Sequence, residues 1–142
     1  LSFKRVFTEF KPRRRGLSKV LGDLEAAVME TVWKKGRVSV RDVYEELRRE
    51  RQIAYTTVMT IMSRLADKKI LYKEKQGIAY YYTPLYSKEE FTRSFVREVI
   101  DGLLEDYAEF AFSHFINRLQ EEDEEKILEL EKIIRERQRK GD

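Results

Sequence analysis

The sequence contains no cysteine, and its 142 residues include one histidine, two prolines and six glycines. Without cysteine there is no disulfide framework, no thiolate metal site and no cysteine nucleophile. With His114 alone, paired-histidine metal sites and most histidine-based catalysis are closed to a single chain. Gly16, Gly22, Gly36, Gly77, Gly102 and Gly141 are scattered, so no glycine-rich phosphate loop is present, and neither a nucleophile elbow nor an HExxH motif occurs. Long apolar runs are missing too. None approaches the ~18 residues that span a bilayer, and none is followed by a secretory cleavage site. The expectation is a cytoplasmic, non-enzymatic protein without cofactor, metal or membrane insertion.

What the sequence does have is charge, at 39% of residues, beside 42% hydrophobic residues, enough for a core. The net +3 conceals a division. Residues 1–86 carry 19 Lys and Arg against 10 Asp and Glu, a balance of +9, whereas residues 87–142 carry 10 against 16, a balance of −6. A basic module that meets a polyanion, joined to an acidic module with a different task, is the expectation. Three segments are expected: a basic arm over 1–19, a domain over 20–86 and a helical region over 87–142. In the arm, Lys4, Arg5, Lys11, Arg13, Arg14, Arg15 and Lys19 face one acid, Glu9. Phe3, Val6, Phe7 and Phe10 give it a short apolar face. Either it contacts phosphates or it is a solvated terminus.

Leu24, Val28 and Val32, widened by Ala27 and Trp33, predict a helix from about Asp23 to Lys35, between Gly22 and Gly36. Arg37-Val38 reads as a short link or small strand. Ser39-Val40-Arg41-Asp42 starts a second helix in the manner of a capping box, with Val40, Val43, Tyr44 and Leu47 inward. A third helix, about Ala54 to Lys69, buries Ala54, Val58, Ile61, Met62 and Leu65. Its other face presents Thr56, Met59, Thr60, Ser63 and Asp67. Hydroxyls and a thioether in place of the usual Lys and Glu suit either close approach to DNA base edges or a partner protein. Ile70–Lys75 and Ile78–Thr83 predict strands around a turn at Gln76-Gly77, with Lys73, Lys75 and Gln76 at the tip. Tyr80, Tyr81 and Tyr82 either stack bases or pack the hairpin onto the helices. This is the outline of a winged helix-turn-helix, mostly α with a small β-hairpin wing. Beyond Pro84, Ser87–Glu90 is a second capping box. The long helix it opens carries two apolar stripes, Phe91, Phe95 and Val99, and Val96, Ile100, Leu103 and Tyr107. Two stripes exceed what a small monomer covers, so a second copy is expected there. Ile127, Leu130 and Ile134 mark a last helix.

Leu21–Glu25 with Val28-Met29 and Val32-Trp33, Ala54–Thr60 with Ser63-Arg64-Leu65, the hairpin around Gly77 and the helix from Ser87 together resemble the BlaI/MecI penicillinase-repressor family over about residues 20–140. The resemblance implies a homodimeric transcriptional repressor that binds a double-stranded, pseudo-palindromic operator and pairs through its C-terminal helices. In that family a membrane-bound sensor-protease triggers cleavage at an Asn-Phe bond, to which His114-Phe115 corresponds here. The cysteine-rich tail of a copper-responsive branch is absent. Ala54-Tyr55 stands where penicillinase repressors carry Ser-Pro, and Met59 near an Arg position, so no operator sequence is carried over. Thr56, Met59 and Thr60 are the expected base-edge residues. Tyr55, Thr57, Ser63 and Arg64 are expected to position the helix, and Lys73, Lys75, Gln76 and Arg13–Arg15 to meet backbone or minor groove. The alternatives are a winged-helix module that binds protein alone and an enzyme with an unrecognised carboxylate site.

Overall fold

A computed structural model describes residues 10–122 and 124–141. It divides into two compact units, one ending at Glu98 and the other beginning at Val99. Lys4, Arg5, Phe3, Val6 and Phe7 of the expected arm lie outside the described residues.

In the first unit, helix α1 (Asp23–Lys35) starts after extended Gly22, with Asp23 and Glu25 complementing the helix dipole, and ends at Gly36, whose φ of 86° suits a glycine stop. Helix α2 (Val40–Leu47) begins with the expected reciprocal cap. The Asp42 N–H donates to Ser39 Oγ at 3.2 Å and the Ser39 N–H to Asp42 Oδ2 at 2.9 Å. Helix α3 (Tyr55–Asp67) buries Val58, Ile61, Met62 and Leu65. Lys69, with φ of 65°, then turns the chain into strand β1 (Leu71–Gln76), while the Ile70 N–H donates to Leu65 O at 3.0 Å. Strand β2 (Ala79–Pro84) returns antiparallel, in a register running from Leu71 opposite Pro84 to Gln76 opposite Ala79. Gly77, φ 66°, takes the first of the two turn positions, where a tight hairpin needs a positive φ. The Arg37-Val38 link is strand-like: Val38 and Tyr82 exchange backbone hydrogen bonds of 2.9 and 2.7 Å. Three helices and this hairpin form a winged helix-turn-helix, so the chain is mostly α with a small β wing.

Both expected boundaries fall inside this unit. The 19/20 boundary fails because Leu17, in a short 3-10 turn (Gly16–Lys19), is buried with Val20 and Leu21 in the same core as α1 to α3. The 86/87 boundary fails because Phe91, four residues into helix α4 (Lys88–Glu122), is fully buried there, its ring 5.7 Å from that of Trp33. Trp33 Nε1 donates to Tyr86 O at 2.9 Å, and Lys88 pairs with Glu30 at 2.9 Å. Phe91 was expected in a subunit interface. The apolar pocket beside Trp33 claims it first, and Phe95 packs partly buried on the same core.

The second unit holds the rest of α4 and helix α5 (Glu124–Gly141). Tyr107 leaves helical geometry (φ −134°, ψ 34°), so α4 is two helical stretches. Among the described residues of this unit none is buried.

The described residues up to Glu98 therefore hold the whole of this core. A fragment ending at Tyr86 removes Phe91 and should be less stable than 1–98 by about 3–5 kcal/mol, the cost of emptying a buried phenylalanine site, as measured by chemical denaturation of the two. The cap of α4 gives a second expectation. The Ser87 N–H, donating to Glu90 Oε1 at 2.9 Å, holds the Glu90 carboxyl below its usual pKa, helped by the Ser87 hydroxyl and Arg93. A depressed folded pKa stabilises above the unfolded value and loses that stabilisation as pH falls through the folded one. Glu90→Gln keeps an acceptor but does not titrate, so its stability should fall less than that of the wild-type chain on acidification through the carboxylate range.

Candidate nucleic-acid interface

The outward face of α3 is built by the alternation that fills the core. With Val58, Ile61, Met62 and Leu65 inward, helical spacing turns Thr56, Met59 and Thr60 out, and all three are exposed. The Thr60 hydroxyl donates to Thr56 O at 2.9 Å, which leaves its methyl and its acceptor lone pairs for a ligand. Met59 is 45% exposed although apolar. Thr57 and Ser63 are half-buried and Arg64 is exposed. The ring of Tyr55 meets that of Tyr44 edge-on at 5.5 Å, and the Arg48 guanidinium lies 5.6 Å from the Tyr44 ring. This stack braces the first turn of α3 against α2. No side chain caps that turn, because Ala54 occupies the cap position.

The hairpin has two chemically different faces. Pairing of Lys73 with Tyr82 and of Lys75 with Tyr80 puts all four on the face that begins at buried Leu71. Lys73 Nζ lies 4.3 Å from the Tyr80 ring centroid and Lys75 Nζ 5.9 Å, so Tyr80 steadies both ammonium groups while they remain exposed. Tyr82 is 2% exposed and belongs to the core, which removes it from any base-stacking role. The opposite face carries Glu74, Gln76 and Tyr81. All three meet Arg37, a residue that the sequence reading did not select. Its Nη2 donates to Gln76 Oε1 at 2.6 Å and to Glu74 Oε1 at 3.2 Å, and its guanidinium sits 4.4 Å from the Tyr81 ring. Gln76, expected at DNA, is thus engaged within the protein.

Arg13 and Arg15 are exposed, and the half-buried Arg14 pairs with Asp23 at 3.7 Å. The segment is folded back by a Lys11 N–H donating to Lys19 O at 2.6 Å and by Lys19 Nζ donating to Arg14 O. Elsewhere on this unit Lys34, Lys35 and Arg49 surround Glu46 at 3.5–3.7 Å. Lys34 foremost holds that carboxyl below its usual pKa.

The residues expected to pair subunits divide. Phe91 and Phe95 belong to the first unit's core, and Val96 of that unit is exposed. In the second unit Val99 is half-buried, while Ile100, Leu103 and Tyr107 are exposed. Ile100, Leu103, Leu104, Tyr107, Phe110 and Phe115 line an open apolar hollow of about 620 Å³, with His114 at its edge. His114 and Phe115 are exposed and lie in helical backbone. No cluster of potential metal ligands occurs among the described residues, and none of their helices is long and apolar enough to cross a membrane.

Residues 21–136 match the model of the penicillinase repressor family. This chain belongs to that family. It is 35% identical over 102 residues to the transcriptional regulator BlaI of Mycobacterium tuberculosis, an alignment covering 70% of this chain and 73% of the relative. A solution structure of the DNA-binding domain of the repressor BlaI is 26% identical, covers 58% of this chain and 92% of its own, and superposes with a TM-score of 0.44. The solution structure of monomeric Bacillus licheniformis BlaI in complex with the blaP half-operator is 28% identical, covers 49% and 85%, and gives a TM-score of 0.43.

Proposed function

We propose that this penicillinase repressor-family chain is a transcriptional repressor that binds operator DNA as a homodimer, with α3 in the major groove. The observation that carries the reading is the exposed Thr56, Met59 and Thr60 face of α3, on the same unit as a wing whose Lys73 and Lys75 are held out by Tyr80. Methionine and threonine methyls suit thymine methyl groups, and the threonine oxygens accept from amino groups on base edges. Tyr55, Thr57, Ser63 and Arg64 flank this face and serve to orient it on phosphates. Arg13 and Arg15 add positive charge for the backbone. Such a repressor works in the cytoplasm, where its operator is.

The second unit supplies the pairing surface. Without a buried residue among those described, it leaves Ile100, Leu103, Tyr107, Phe110 and Phe115 in water, and a second copy is the cover that also matches a two-fold symmetric operator. A sensor-protease partner would act at His114-Phe115. That bond lies within a helix, so the segment must open before it can be cut.

Three measurements follow from this reading. If about 6–10 phosphates are contacted, operator affinity should drop about 10³–10⁵-fold between 50 and 200 mM salt; a flat salt response in titrations would sink phosphate-led binding. Across a panel of operator mutants, Met59→Ala and Thr60→Ala should each relax discrimination at particular base pairs by about 1–3 kcal/mol. Lys75→Ala should weaken all sequences alike and lower the salt slope by about one. Ile100→Asp combined with Leu103→Asp should sediment as a monomer and bind the full operator about 10²–10⁴-fold more weakly, with half-site affinity unchanged.

A further inference from the structure

The hairpin's charged tip extends past the last core residues of its strands, Leu71 and Tyr82, and a two-stranded hairpin is marginal by itself in water. Something must fix where Lys73 and Lys75 sit relative to α3. Arg37 is placed to do so. Its own backbone is anchored next to Val38, which is bonded in both directions to Tyr82. Its side chain then reaches along the hairpin, over Tyr81 of β2 and to Glu74 and Gln76 of β1. Glu74 and Tyr81 are cross-strand partners, so one guanidinium ties both strands to the link between α1 and α2. These contacts occupy the face opposite Lys73, Lys75 and Tyr80, which stays open.

We propose that Arg37 is a wing-positioning residue: it sets the angle of the hairpin on the helical body, and so the place of Lys73 and Lys75 on the duplex, without touching DNA itself. Glu74, the one carboxylate of the hairpin, is one of Arg37's two oxygen partners, at 3.2 Å. The role requires arginine. A planar fork that stacks on a ring while donating to two oxygens has no equivalent in the point charge of lysine. The inference rests on the DNA-binding reading above.

The test uses the full chain and an operator selected from random duplex DNA. Arg37→Ala and Arg37→Lys should weaken binding to a similar degree, about 2- to 10-fold, the range a net hydrogen bond carries. Their thermal midpoints should match the wild-type one, because the contacts are solvent-exposed. Amide exchange from Lys73 to Ala79 should quicken in both variants. When Lys73 and Lys75 are already alanine, Arg37→Ala should cost nothing more. Recovery of full affinity by Arg37→Lys, or a loss that persists undiminished without the two lysines, would mark a direct phosphate contact and overturn the inference. A wild-type chain that binds no duplex overturns the DNA-binding reading and this inference together; a wild-type chain that binds, with Arg37→Lys equal to it, overturns this inference alone.

Discussion

Two backbone hydrogen bonds between Val38 and Tyr82 hold the wing to the helical body. They make β2 the middle of a three-segment arrangement, with β1 on one side and the α1–α2 link on the other. Because side chains alternate along a strand, fixing Tyr82 inward also fixes Tyr80, Lys73 and Lys75 on the inward-derived face and Tyr81, Glu74 and Gln76 on the other. A slip of β2 by one residue would turn Tyr82 out of the core and bring Tyr81 or Thr83 inward in its place. The chemistry of the wing therefore follows from where one tyrosine ring enters the core.

The two units meet the same physical demand in opposite ways. The first closes its core with residues from every element, including Leu17 ahead of α1 and Phe91 inside α4. The second buries nothing among its described residues, and its aromatic side chains, such as Phe110 at 79% exposure, remain uncovered. An isolated chain in this state carries a large apolar surface, which water disfavours in proportion to its area. In the proposed homodimer a second copy supplies the missing burial and so links operator binding to whether that surface is covered.

The sequence by itself determined the local elements. Gly22, Gly36, the Ser39–Asp42 box and the Ser87–Glu90 box each mark a helix end through contacts within a few residues, and all four hold in the structure. The 3.6-residue spacing of Val58, Ile61, Met62 and Leu65 placed the outward face of α3, since periodicity alone separates the two faces of a helix. The penicillinase-repressor resemblance was readable for the same reason: it lies in contiguous segments.

Only the tertiary structure decided which chain ends belong to which core, and which polar groups meet. Phe91 follows the spacing of an exposed stripe, yet Trp33, 58 positions earlier in the chain, covers it. Leu17 sits among arginines and still packs inward. In the sequence Arg37 is only part of a short link, because its partners Glu74, Gln76 and Tyr81 are 37, 39 and 44 residues away and are brought to it by the Val38–Tyr82 pairing. Periodicity reports what neighbours along the chain share; a long-range contact is set by chain folding, which sums many such preferences and satisfies some of them at the expense of others.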